Sequence, residues 1–249
     1  MEIEVSLSPA LYSFRTLAAP HTTVAIDVLR ATTAVCAAFQ AGCREVVPLD
    51  SLEALETYRP LGYKIAAERG GEKLPGSDYG NSPTEYISHD MSGVRLAYST
   101  TNGTVSILRG ADAALTLVGA FANLDALCDR LCRDGQDVVL LCSGWQNDFC
   151  LEDTLVAGAI IERLCSDVHG GTPLPLSAFR FPPSTPHGDA ANMALSLWQL
   201  AKDDPYAYCQ RATHVHRLVG FGAEADIRFA FQLNTCPVVP SLKNGFLTL

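Results

Sequence analysis

The run Ile26-Asp27-Val28-Leu29-Arg30-Ala31-Thr32-Thr33 gathers a carboxylate, a guanidinium and two hydroxyls into a few residues. An Asp where a strand ends, with Arg30, Thr32 and Thr33 at the start of a helix, sets a carboxylate beside an anion site. Hydroxyls and unpaired helix N–H groups hold phosphate oxygens, and an arginine clamps them through two parallel hydrogen bonds. The same residues also suit a structural use, with Thr32 capping the helix and Asp27 paired to Arg30.

Three more segments concentrate polar chemistry. Glu68-Arg69-Gly70-Gly71-Glu72-Lys73, running on to Gly80-Asn81-Ser82-Pro83, joins cationic side chains to glycines that let a backbone approach a ligand closely. Ser99-Thr100-Thr101-Asn102-Gly103-Thr104 carries four hydroxyls, an amide and a glycine. One hydroxyl is enough to cap a helix, so the excess reads as an anion cradle. The stretch from Ser143 ends on Glu152 and Asp153, adjacent carboxylates in the first turn of a helix. They complement the helix dipole, and after a strand they are also placed to bind a hard divalent cation. None of the four is a Walker A loop, a Gly-x-Gly-x-x-Gly turn, a Gly-x-Ser-x-Gly elbow or a His-Glu-x-x-His helix. His214 and His216 stand two apart and point to different sides of a helix, which speaks against a two-His metal site.

These segments need a scaffold that brings strand ends together. Strand-like runs recur at residues 3–7, 23–28, 45–49, 63–67, 95–98, 114–118 and 137–142. Helices are expected over 32–40, from Ser51, up to Arg109, over 123–134 and over 151–165, then over 189–200, 205–220 and 223–232. Gly170 to Gly188, rich in Pro, Gly, Ser and Thr, reads as an exposed loop, and a last strand is expected near Pro237-Val238-Val239. This rhythm predicts a three-layer α/β/α fold with a mixed, mainly parallel sheet, residues 1–249 forming one domain. In such sheets ligands bind beyond the carboxyl ends of the strands. Asp27, Arg30, Glu68, Asn81, Thr101, Asn102 and Asp153 are therefore expected in one pocket.

Composition narrows the classes. At 48% hydrophobic and 18% charged, 249 residues suffice for a sizeable core. The net charge of −9, with no Lys/Arg cluster, argues against nucleic acid. No apolar run approaches the roughly 18 residues of a membrane span, and the first residues show no signal-peptide pattern. Nine cysteines, without a Cys-x-x-Cys pair and mostly within apolar runs, read as reduced core thiols. The expected setting is cytoplasmic, without a membrane partner.

Together and in this order, the four segments, with Gly220-Phe221-Gly222-Ala223-Glu224-Ala225-Asp226 and Val238-Val239-Pro240, resemble the 2-phosphosulfolactate phosphatase family over nearly the whole chain. Ala67, in place of a glycine, and Ser77, in place of an aromatic residue, are departures. The resemblance implies a Mg²⁺-dependent phosphoric monoester hydrolase of coenzyme M biosynthesis, converting (R)-2-phospho-3-sulfolactate to 3-sulfolactate and phosphate. It implies Asp27, Glu68, Glu152 and Asp153 as the metal-binding carboxylates, and Asp27, Arg30, Glu68 and Asp153 as catalytic. The anionic substrate falls to Thr32, Thr33, Arg69, Asn81, Ser82, Thr100, Thr101, Asn102, Gly103 and Thr104. A homodimer is left open. A phosphatase for another phosphorylated hydroxy acid would use the same residues. A non-catalytic phosphoanion-binding regulator would explain the hydroxyls but not four carboxylates.

Overall fold

The computed structural model describes residues 1–146, 148–166, 168–169, 172–173 and 184–249. The first half alternates strand and helix: β1 (Glu2–Ser6), β2 (Thr22–Ile26), α1 (Ala31–Gln40), β3 (Glu45–Pro48) and α2 (Leu52–Tyr58). Next come β4 (Lys64–Arg69), β5 (Glu72–Lys73), α3 (Pro83–Ile87), β6 (Arg95–Ser99) and α4 (Gly103–Arg109). Then follow β7 (Leu115–Gly119), α5 (Leu124–Asp134), β8 (Val138–Cys142) and α6 (Leu151–Cys165). A small pair, β9 (Val168–His169) and β10 (Thr172–Pro173), precedes β11 (Thr185–His187). Four helices, α7 (Gly188–Ala201), α8 (Pro205–Cys209), α9 (Thr213–Gly220) and α10 (Glu224–Ala230), lead to the hairpin β12 (Ser241–Lys243) and β13 (Phe246–Thr248).

Eleven strands form one mixed, mainly parallel sheet in the order β11-β1-β8-β2-β7-β12-β13-β3-β6-β4-β5. It consists of two parallel blocks, β11-β1-β8-β2-β7 and β3-β6-β4, joined by the antiparallel β12–β13 hairpin, with β5 antiparallel to β4 at the edge. Three antiparallel pairings in succession reverse the second block relative to the first. In a flat sheet their carboxyl ends would then lie on opposite edges. From β2 to β4 there are six strand-to-strand steps. At about 20–25° of twist per step they accumulate roughly 120–150°, which offsets most of the reversal. Twist, rather than common strand direction, turns the two sets of ends toward each other.

Side-chain alternation feeds a core on each face. Val24 and Ile26 of β2 join the helices α5, α6 and α7, whereas Ala25 joins α1 and α4. The two faces explain why β2 and β8 are buried throughout and read as unbroken apolar runs. Gly158 of α6 lets α7 approach closely. A Cβ there would overlap the Ala194 carbonyl and come within 2.6 Å of the Trp198 Cβ. Gly158→Ala is expected to cost about 1–3 kcal/mol by overpacking, read as a lower urea midpoint at an unchanged slope.

Three expectations are corrected. Pro237-Val238-Val239 is not a strand, since Pro237 and Pro240 lack the N–H that a ladder needs, and pairing begins at Ser241. The helix expected over 205–220 is two, divided after Cys209, where the Ala212 N–H closes a turn on the Cys209 carbonyl at 2.8 Å. Of the loop expected from Gly170 to Gly188, residues 170–171 and 174–183 lie outside the described residues. Thr185–His187 is a strand beside β1, at a sheet edge where Pro186 costs no ladder bond.

Candidate active site

Beyond the ends of β2, β4 and β6 lies a pocket lined by Asp27, Arg30, Glu68, Asn81, Thr101 and Asn102. Trp145, His214, Arg217 and Leu218 complete it from the Ser143 loop and α9, and Leu29 and Gly71 add backbone-rich edges. About 350 Å³ of space lies between these residues, part of it open to solvent.

Asp27 follows β2 and is held by the start of α1. Its Oδ1 accepts the Ala31 N–H at 3.2 Å, and its carbonyl accepts the Thr32 N–H at 2.9 Å. Burial pushes the Asp27 carboxyl up to about 6; the N–H of Ala31 and the nearby His214 oppose this, and the charges of Glu68 and Glu152 add to it. Gly103 leaves room for the carboxylate. A Cβ there would lie 2.7 Å from Asp27 Oδ2 and overlap the Ala31 side chain. Gly103→Ala is expected to displace Asp27 and lower turnover on the order of a hundredfold, with about 1–3 kcal/mol of stability lost. Steady-state assays beside thermal melts check both.

Glu68 is the next-to-last residue of β4, and the β4–β5 hairpin fixes it. Oε1 accepts the Gly71 N–H and, at 3.2 Å, the Thr101 hydroxyl. Arg30 does not pair with Asp27. Its Nη1 donates to Asp226 Oδ2 at 2.7 Å and its Nη2 to the Gly71 carbonyl at 2.6 Å. This ion pair is buried, 8% and 7% exposed at its two side chains. Arg217 donates to the Gly70 carbonyl and lies over the Trp145 ring, 5.3 Å from its centre. Two arginines thus anchor one hairpin while lining the pocket. Asp27 and Glu68, the two acids that reach it, offer only hard oxygen donors, and their mutual repulsion is what a divalent cation would relieve.

The model of the 2-phosphosulpholactate phosphatase family matches residues 9–245, a span that contains every pocket residue. The chain belongs to this family. The family comprises phosphoric monoester hydrolases. The chain is 37% identical to a probable 2-phosphosulfolactate phosphatase of Synechococcus sp. (strain JA-2-3B'a(2-13)), covering 89% of this chain and 88% of that protein. It is 36% identical to one from Prochlorococcus marinus (strain MIT 9313), covering 92% and 93%. A third, from Caldanaerobacter subterraneus subsp. tengcongensis, is 30% identical, covering 90% and 88%.

In this phosphatase several expected ligand groups are committed to backbone. Thr32 Oγ1 donates to the Asp27 carbonyl at 2.8 Å, and Thr33 Oγ1 to the Val28 carbonyl at 2.8 Å; both are buried away from the pocket lining. Thr100 and Thr104 cap each other's N–H groups at 3.1 and 3.2 Å. Ser82 caps α3 and donates to Asp226 at 2.6 Å, and Arg69 turns to the Glu68 carbonyl and the Ser99 hydroxyl. The expected cradles are therefore filled by the chain itself, because a helix start satisfies its own N–H groups with whatever side chain lies nearest. Asp153 uses both oxygens on backbone N–H groups, of Val28 at 2.9 Å and Gly144 at 3.1 Å. It positions the two loops that frame Asp27, although burial, with Asp27 and Glu152 nearby, pushes its carboxyl well above the usual range. Glu152 lies beside the pocket and accepts the His214 Nδ1–H at 2.8 Å.

Sequence reasoning missed Trp145 as a pocket wall, and with it His214, Arg217 and Leu218. The available signal was spacing: His214, Arg217 and Leu218 fall at i, i+3 and i+4, one stripe of α9 mixing charge with apolar bulk. Comparing His214 only with His216 hid that stripe. His214 stacks on Trp145, ring centres 6.2 Å apart and 13° from parallel.

Proposed function

We propose that the chain hydrolyses the phosphate monoester of a small 2-hydroxy acid with Mg²⁺, and that the ester is (R)-2-phospho-3-sulfolactate. One observation carries this reading: a small pocket sets Asp27 and Glu68 against the guanidinium groups of Arg30 and Arg217 and the imidazole of His214. A molecule bearing phosphate, carboxylate and sulfonate matches the two guanidinium groups, with the imidazole as a further hydrogen-bonding partner. The names of the three relatives support the same substrate.

Asp27 and Glu68 would hold Mg²⁺, an ion that takes one or two protein carboxylates and fills its shell with water and phosphate oxygens. Held by these two carboxylates, it would supply positive charge to offset the phosphate in the transition state. Arg30 is pre-oriented by Asp226 and the Gly71 carbonyl, so it meets an anion without first losing rotamer freedom. The Tyr98 hydroxyl donates to Asn81 Oδ1, which leaves the Asn81 amide N–H groups to donate to substrate. Water attacks phosphorus, the ester P–O bond breaks, and phosphate and the hydroxy acid leave. The reading also places the enzyme in a reducing cytoplasm, where its cysteines stay as thiols; no disulfide joins them among the described residues.

The test is phosphate release from a panel of 2-hydroxy-acid phosphates, with Mg²⁺ and with chelator. Release from phosphosulfolactate only with Mg²⁺ is expected. Release in chelator removes the metal from the mechanism, and release from phospholactate alone reassigns the substrate. A folded protein that binds these esters and releases nothing is a phosphoanion-binding protein instead.

A further inference from the structure

Cys150 immediately precedes α6, Glu152 lies in its first turn, and His214 faces them from α9. One ligand atom from each, the Cys150 Sγ, a Glu152 carboxylate oxygen and a His214 ring nitrogen, lie within 4.8 Å of one another. Cys150 and Glu152 are buried, and the His214 side chain is 11% exposed. Glu152 Oε1 meets His214 Nδ1, but Oε2 is buried with no hydrogen-bond partner among the described residues. Such an oxygen, on a residue only 1% exposed, loses its hydration with only the weak donor of the neighbouring Cys150 thiol to compensate. A cation is the partner that the surrounding groups favour.

We propose that Cys150, Glu152 and His214 form a binding site for a borderline-soft divalent transition ion, Zn²⁺ foremost, distinct from the Asp27–Glu68 pair. The donor set decides the class. Sulfur, carboxylate oxygen and imidazole nitrogen together are zinc ligands, whereas Mg²⁺ takes oxygen and avoids thiolate. Ligands at about 2.0–2.3 Å from a tetrahedral ion sit roughly 3.3–3.8 Å from each other, a spacing these three reach by small side-chain adjustments. A thiolate and a carboxylate bring two negative charges, which the ion neutralises beside the further acids Asp27 and Asp153. On binding, the Cys150 thiol proton goes to solvent as the S–metal bond forms. The proton that Nδ1 donates to Glu152 before binding is given up as His214 takes the tautomer protonated on Nε2 and binds through Nδ1, and nothing is oxidised or reduced. Because His214 also lines the pocket, a fourth position is open on that side for water or an anion oxygen.

This inference does not rest on phosphatase activity, and its test does not read it. The full chain, stripped with a chelator, is titrated with Co²⁺ as the probe. A sulfur-to-cobalt charge-transfer band should grow to one equivalent, vanish on adding Zn²⁺ and persist in excess Mg²⁺. Cys150→Ser should abolish the band, and Cys209→Ser, a buried cysteine outside the cluster, should keep it. His214→Ala, on a partly exposed side chain, should weaken Zn²⁺ binding by at least about tenfold, the least that loss of a ligand or of its supporting partner costs. It supplies the answer if Cys150→Ser does not fold. A folded wild-type chain without the band, a band retained in folded Cys150→Ser, or unchanged Zn²⁺ affinity in His214→Ala overturns the proposal.

Discussion

Asp27→Asn is expected to abolish phosphate release while raising the melting temperature of the metal-free protein at neutral pH. The substitution preserves shape and the acceptor for the Ala31 N–H, but it removes the charge that a hard cation needs. The stability effect follows from the raised carboxyl. An acid with a folded pKa of about 6 and an unfolded one of 3.8 holds its proton more tightly when folded. Its stabilising contribution is complete below about pH 4 and is lost as pH rises through 6. At pH 7.5 the ionised carboxylate therefore costs about 2–3 kcal/mol, and the neutral amide recovers it. For a chain of this size that is several degrees. Melts at pH 4 and pH 7.5 should show the variant equal to wild type at the first and higher at the second. Mg²⁺ should raise the wild-type midpoint at pH 7.5 and leave the variant unmoved. A variant that melts lower at pH 7.5, or that turns over at the wild-type rate, would remove Asp27 from the site.

Asp226→Asn is expected to cause the largest loss of stability among single substitutions near the pocket. Asp226 Oδ2 receives Arg30, while Oδ1 receives the hydroxyls of Ser82 at 2.6 Å and Thr84 at 2.5 Å. One carboxylate thus ties α10 to α1 and to the start of α3. Neutralising it strands the buried Arg30 guanidinium, a loss of about 3–5 kcal/mol. The double variant Arg30→Met with Asp226→Leu separates charge from packing: it should regain much of the lost stability, because a buried ion pair replaced by apolar groups is often neutral. It should not regain turnover, since the pocket has lost a cation. Urea unfolding with phosphate release measured well below the transition distinguishes the two. Full activity in the double variant would show that Arg30 only holds the fold.

Much of the scaffold is legible in the chain itself. The short apolar run ending at Ile26 and the solid one of Val138–Cys142 announce their strands, and Ser51 caps its helix as its position foretells, accepting the Ala54 N–H at 3.1 Å. The positions of Asp27, Glu68 and Thr101 at strand ends are equally local facts, and all three line the pocket. Such features depend on residues within a few positions of one another, where backbone period and capping chemistry act directly.

Which charged group meets which is a different matter. Arg30 has Asp27 three residues away yet pairs with Asp226, 196 residues on, and Glu152 finds His214 across 62 residues. The hydroxyl clusters that look like anion cradles turn inward because nearby N–H groups and carbonyls, freed at each helix start, claim them first. The pocket draws on both parallel blocks only because the twist carried through the β12–β13 hairpin turns oppositely running strands toward each other. The sequence by itself determined the elements and the loops that carry chemistry, since those follow from short-range pattern. The pairing of charges and the arrival of His214 and Arg217 from α9 were decided by tertiary structure alone, since a charge takes its partner from whatever distant element the fold brings within about 3 Å and shields from water.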